Sequence, residues 1–501
     1  MSPKNLRLLL SITAMLSTGI IEKPLQACCP STCSTSSCPP ASCSSSANCS
    51  SSCYPPSIFI PRQLSYNPIF ENALVLDKNG NLECWDWIFS GKPIYTQNVG
   101  KKFTQYFNIN NLCSLNVQEN GTGNVDSLWF QDISTDPTMY SSTLTFAPKR
   151  QTYGAMLYFA LELPHDFELS FNTAVVKAKN NMNICERCVD NLGTVTGYLT
   201  ITQAFANPTL LDGRIAGCVS QVGADDLQIK LIRHLSECDA NFWDIYALVG
   251  VPTGKGSNAI NLFEPIVGSN HVQFGLGTDG KWDLADYDCG TFSLLGELKW
   301  RYGFSANECR SFDLCPNGQW SRYLLLVSQS ALYTPFQAIN VLTFQTNVTP
   351  RNSLDLYLAA HWGAKNWNFE VGYDFWYRQA EKVCLTSCAG FATPVGIADL
   401  PGIAARSPQT ASTANISQGV LPNSNTIVSD ATFIPLTLSN INLLSGAQPQ
   451  GISNSVYASI GHYTEWKNCE TQIGVNVAYE GGAGVNTPDN VTVWLDLELF
   501  V

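Results

Sequence analysis

Charge is scarce: only 14% of the 501 residues are Asp, Glu, Lys or Arg, while 45% are hydrophobic. Disorder needs the opposite balance, so the chain is folded over most of its length. Basic residues are the scarcer sign, 28 against 40 acidic, and they form no patch interleaved with aromatics. A phosphate-neutralising surface is thereby excluded, and no nucleic-acid partner is expected. Unbroken apolar runs of about 18 residues are missing too, which excludes helical membrane spans. Histidine is rare, and its five positions (165, 234, 271, 361 and 462) show no His-Glu-x-x-His and no paired spacing. No metal or other cofactor is expected on that ground.

Nucleotide and hydrolase signatures fail on inspection. Gly275-Leu-Gly277-Thr-Asp-Gly280 has the glycine spacing of a dinucleotide loop, but Lys281-Trp282-Asp283 leads into a turn rather than a helix. Gly250 to Lys255 has three residues between its glycines where a phosphate loop needs four, and Gly256 stands where Ser or Thr is required. A Gly-x-Ser-x-Gly elbow is missing. The expectation is a protein that is not an enzyme.

Cysteine, by contrast, is plentiful at 19 residues. Lys4 and Arg7 precede an apolar run from Leu8 to Ile21, with Ala27 beyond it, so residues 1–27 read as a secretory signal peptide. Leu25-Gln26-Ala27-Cys28 also resembles a lipid-attachment site, and whether Cys28 is lipidated stays open. Residues 28–53 hold seven cysteines and eleven serines with no charge, which makes them a tether rather than a domain. In an exported chain disulfides are the expected use of cysteine. Cys185, Cys188, Cys309, Cys315, Cys384 and Cys388 are the candidates for loop bridges, and disulfide-linked envelope partners are a further expectation.

From residue 140 onward the dominant signal is alternation with period two. In 366–378, Trp367, Phe369, Val371, Tyr373, Phe375 and Tyr377 oppose Asn368, Glu370, Asp374 and Arg378. The same alternation in 153–163 and 167–175 brackets the short turn Pro164-His165-Asp166. Such segments exceed the roughly 5–6 residues of a globular strand and suit the 9–11 tilted residues that cross a bilayer. Trp243, Trp282, Trp300, Trp320, Trp362, Trp367, Trp376 and Trp466 stand near segment ends, as an interfacial girdle requires.

The expected fold is therefore all-β, a transmembrane antiparallel barrel of about fourteen strands (range twelve to sixteen) over 141–501. The segments are 143–148, 153–163, 167–177, 226–234, 241–251, 271–280, 291–302, 319–328, 338–348, 353–362, 366–378, 454–466, 470–480 and 490–501. Connections on one side never exceed ten residues, and every long one falls on the other, the asymmetry of periplasmic turns and external loops. Residues 54–140 are expected to form a plug, a hatch, a periplasmic segment or extra strands. The polar face supplies candidate channel-lining residues: Glu168, Asp244, Glu297, Lys299, Arg301, Asp355, Glu370, Asp374, Arg378 and Glu480. A lumen of mixed charge points to a passive outer-membrane channel or substrate transporter. The alternative is a structural or adhesive envelope protein anchored by the barrel and cross-linked by disulfides.

Fourteen strands behind an N-terminal lumenal segment resemble the outer-membrane fatty-acid transporter superfamily. The passage Gly250-Val-Pro-Thr-Gly254-Lys-Gly256, followed by Val272-Gln-Phe-Gly-Leu-Gly277, resembles a strand–loop–strand stretch in relatives of that family. The resemblance implies transport of hydrophobic compounds. In cysteine-rich character the chain is also similar to the chlamydial major outer-membrane porins. The final alternation of Val491, Val493, Leu495, Leu497, Leu499 and Val501 resembles the C-terminal signal read by the outer-membrane assembly machinery, although Phe500 is penultimate rather than last. Outer-membrane lipid and that machinery are the expected partners.

Overall fold

The computed structural model describes residues 55–73, 87–118, 123–127, 140–191, 200–238, 241–386, 390–399, 409–410, 415–417, 433–466 and 469–500. The expected signal peptide 1–27, the expected tether 28–53, the Cys188 side chain and Cys388 lie outside them. Among the described residues twelve long strands form one closed antiparallel barrel. They are β1 (Trp87–Val99), β2 (Lys149–Leu163), β3 (Phe167–Asn181), β4 (Leu227–Cys238), β5 (Asn241–Val251), β6 (Gln273–Tyr287), β7 (Gly290–Gly303), β8 (Arg351–Ala364), β9 (Trp367–Arg378), β10 (Gly451–Trp466), β11 (Cys469–Gly482) and β12 (Asp489–Phe500). Each pairs with its neighbour in sequence, and β12 closes the ring on β1 with Leu497 opposite Gly91 and Val493 opposite Tyr95. The thirteenth strand of the sheet, Cys218–Ala224, pairs with the upper half of β3 (Val175–Asn181), above the point where β4 leaves it.

Closure leaves no unpaired edge, and the alternation then sorts side chains by solvent. Phe159, Ile245, Leu276, Val371, Ile460, Val477 and Leu495 all project outward and exposed. An apolar surface of that extent around a full ring is what hydrocarbon requires and what water would penalise. The chain is therefore an outer-membrane β-barrel. The backbone N–H and C=O groups of the wall strands are paired in the ladder, as an intramembrane sheet requires.

Eleven of the expected segments coincide with wall strands; three do not, and one wall strand stands within 54–140, where extra strands are one of the alternatives. Segments 143–148, 319–328 and 338–348 belong to the long loops at the end opposite the short turns. Leu324, Leu325, Leu326 and Val327 are buried in succession, so both faces of that stretch are covered, and short 3-10 turns at Ser321–Tyr323 and Ala338–Asn340 break the neighbouring segments. The strand β1 is hidden by its own composition: Ile88, Lys92 and Ile94 point inward while Pro93 sits on the outer face. Its alternation is therefore not polar against apolar. The strand count is accordingly twelve, with β1 lying N-terminal to the boundary at 141.

The turns at one end, 164–166, 239–240, 288–289, 365–366 and 467–468, are three residues or fewer. In the first, His165 and Asp166 both take positive φ (68° and 60°), the geometry of a tight hairpin whose twist matches its strands. At the other end the described residues of the loops 100–148, 182–226, 252–272, 304–350 and 379–450 build a cap. Small sheets in it, such as Ala306–Ser311 with Thr343–Thr349 and Lys382–Leu385, surround a core that includes Phe107, Leu144, Phe205, Trp320, Leu326 and Ile397. Trp320 thus belongs to that core rather than to a girdle, with its indole N–H donating to the carbonyl of Phe107. Trp376 faces the lumen, while Trp243, Trp300 and Trp367 do face outward.

Candidate functional site

The bore is occupied by residues 55–73. This segment starts in the cap, where Arg322 donates to the carbonyl of Pro55 and Ser57 donates to the carbonyls of Ser445 and Ser311. It then descends to mid-bore, where the carbonyl of Ala73 accepts from Lys92 of β1 at 3.4 Å. One helical turn, α1 (Pro68–Asn72), lies at its foot. Asn67 caps it by accepting from the N–H of Ile69, and Pro68 supplies a preset φ in the first turn.

Two ionic anchors hold the segment. Arg62 reaches Asp355 at 2.6 Å and also pairs with Asp374, and its guanidinium lies over the Trp376 ring at 5.5 Å. Lower down, Glu71 pairs with Lys230 and, at 2.9 Å, with Lys299, and accepts from Gln228 at 2.8 Å. Between the anchors, the Arg301 guanidinium stacks over Tyr66 at 4.4 Å, and Asn172 donates to the carbonyl of Ser65. Gln63 donates to Asp226, and the N–H of Ser65 donates to Asp225. These two carboxylates sit just beyond the wall strands. Burial, reinforced by the charge of Asp225, pushes the Asp226 carboxyl up to about 6.

All ten residues expected to line the channel face inward. Glu297, Lys299, Arg301, Asp355 and Asp374 gather around the segment, with Asn72 and Tyr246 donating to Glu297 and Arg301 pairing with Asp355 at 3.0 Å. Glu370 accepts from Tyr357 and Tyr457 across β8, β9 and β10. Arg378 donates to the carbonyls of Ile60 and Pro449, and Glu480 accepts from Ser453 and Asn490. Glu168 and Asp244 stand apart, nearer the short turns, as partners of Tyr158 and His234. The space left beside the segment is a cavity of about 90 Å3 bordered by Arg62, Arg150, Arg378 and Glu480.

Sequence reasoning missed the partners of these residues: Glu71, Lys92 and Lys230, and Tyr66. Asn67-Pro68 was the available signal for an ordered turn, but nothing local announces an ion pair with residues some 160 to 310 positions away. Among the cysteine candidates, Cys185 and Cys309 carry free thiols and Cys315 is disulfide-bonded. A bridge between Cys309 and Cys384 is barred because strand Thr343–Thr349 lies between theirs. Two inter-strand spacings put them about 10 Å apart, beyond disulfide reach.

No family model and no curated protein matches this chain. Among solved structures it is similar to an outer-membrane channel from Pseudomonas putida F1, at 10% identity and a TM-score of 0.37, covering 85% of this chain and all of that one. The transport unit of the autotransporter AIDA-I from Escherichia coli aligns at 9% identity and 0.34, covering 88% and 98%. A fatty-acid transporter (FadL) homologue from Pseudomonas aeruginosa aligns at 8% and 0.25, covering 83% and 88%. Members of the superfamily that the sequence resembles are thus among the matches. Likenesses this distant carry no argument about function, which rests on the lumen.

Proposed function

We propose that the protein is a passive outer-membrane transport barrel for small solutes, hydrophobic ones included, whose conduit is blocked at rest by residues 55–73. The observation that carries this reading is that a separate segment enters the bore as far as its middle and is seated there among the inward side chains of the wall. Two ionic anchors, Arg62 with Asp355 and Asp374 and Glu71 with Lys230 and Lys299, fix it. Buried ion pairs contribute little net stability against apolar packing of the same volume, so they suit an obstruction that must shift. When the segment moves, Glu297, Lys299, Glu370 and Asp374 become the selectivity surface.

The test is conductance of the purified full chain in planar bilayers. Wild type is expected to show rare openings, and Arg62→Gln combined with Glu71→Gln sustained ones. Silence of both, with each folded, would end the transport reading. The external thiols of Cys113, Cys185 and Cys218 are exposed and favour the second reading, an envelope protein linked by intermolecular disulfides. That reading predicts covalent oligomers on non-reducing gels from intact cells.

A further inference from the structure

At the short-turn end of the bore, four neighbouring strands each direct one titratable side chain to a common point. Glu162 near the end of β2 and Glu168 at the start of β3 are direct cross-strand partners. His234 of β4 stands opposite Asp244 of β5, next to a register shift between Trp243 and Asp244. One oxygen from each glutamate and a ring nitrogen of His234 lie within 4.8 Å of one another. The His234 side chain is only 9% exposed, and its Nδ1 is held 2.9 Å from Asp244 Oδ1. Among the described residues its Nε2 has no hydrogen-bond partner, and it stands 3.6 Å from Glu162 Oε1.

Like charges directly opposite one another destabilise a strand pair, so a cation between Glu162 and Glu168 would relieve their repulsion. Tyr158 donates to Glu168 at 3.1 Å but brings no charge. The nearest imidazole is already oriented from behind by a carboxylate, the arrangement that fixes the tautomer of metal-ligating histidines. Donors 2.0–2.1 Å from a tetrahedral zinc are separated by about 3.4 Å, close to the spacing of Nε2 from Glu162. An imidazole in the set disfavours magnesium and calcium, which take oxygen ligands.

The geometry points to a divalent transition-metal site of the zinc class, with Glu162, Glu168 and His234 Nε2 as ligands and Asp244 positioning the imidazole. An ion there fastens the lip of β2, β3 and β4 below the lumenal segment. The spacing 162, 168, 234 follows no helical or loop motif, which is why the sequence led to the expectation of no metal. The site is independent of whether the barrel conducts.

The test uses the detergent-extracted full chain, stripped with chelator and titrated with Co2+ alone near neutral pH, then with Zn2+ in competition. One equivalent of Co2+ is expected, with visible d–d absorption that Zn2+ displaces mole for mole. His234→Gln and Glu168→Gln should abolish it, Asp244→Asn should weaken affinity about 10–100-fold, and His165→Gln in the adjacent turn should leave it unchanged. Zinc should also protect His234 of the wild type from diethylpyrocarbonate, read by mass spectrometry, a measurement that needs no variant to fold. Failure of the wild type to bind saturably, or equal affinity in folded His234→Gln, overturns the site. The first result would mean that a protonated His234 alone bridges Asp244 and Glu162.

Discussion

Gly250 shows how closely the lumenal segment fits its wall. A Cβ built there would overlap the Tyr66 hydroxyl, so no larger residue can share that space with the ring. Gly250→Ala is expected to displace Tyr66 at a cost of about 1–3 kcal/mol. Its signature is a lower unfolding temperature together with more frequent openings. Gly296→Ala is the control, since its Cβ would meet Leu358 at an ordinary 3.5 Å. Arg62 gives a second residue-scale prediction. Arg62→Gln leaves Asp374 buried and uncompensated, which costs about 3–5 kcal/mol. Adding Asp374→Asn should recover most of that loss, whereas additive losses in the double variant would show that the pair is not coupled.

Strand β9 displays both the power and the reach of alternation. Val371 is 64% exposed on the lipid face while Glu370 beside it is buried in the lumen, as the pattern in 366–378 implies. Val371→Arg should therefore impair assembly, costing about 2–4 kcal/mol at mid-bilayer, and Glu370→Gln should fold normally. Folded yield by heat-dependent gel mobility measures both, and the reverse outcome would invert the face assignment. Alternation worked where one face met lipid and the other met water or charge. It failed for β1, whose inward face carries Ile88 and Ile94 because the bore there is packed rather than wet. It misled at 319–328, where a cap segment is apolar on both faces. The inward residues were legible one by one, but their chemistry was not. Glu71 meets Lys299 only because the chain doubles back through the ring, and period two carries no information about what fills a closed cylinder.

For the whole molecule, the cap should confer a pH optimum. His271 and Arg310 flank Glu308, at 3.1 Å and 2.6 Å respectively. Burial opposes the imidazolium, but the bond to Glu308 and its charge hold the His271 pKa above its ordinary value. Burial likewise opposes the carboxylate, yet Arg310 and His271 keep Glu308 below its ordinary value. A raised imidazole contributes stability that is complete below about 6.5 and is lost as pH rises through the folded pKa. A depressed carboxylate contributes stability that is complete above about 4.3 and is lost as pH falls. The cap should resist protease best between those values. His271→Gln should flatten the alkaline limb alone, and an unchanged limb would remove His271 from the account.

The direction of the lumenal segment fixes an order of events. Its first described residues sit among the external loops and its last lie at mid-bore, while β1 begins at the opposite end and runs outward. Residues 55–73 therefore enter a ring whose seam, β1 against β12, is made by the first and last wall strands. A rope cannot be drawn through a sleeve that is already sewn without moving one whole end, so the segment must be laid along the open sheet before the seam is stitched. The barrel is then a clasp that closes around its own leader. A cross-link that joins β1 to β12 prematurely should yield rings with an empty bore.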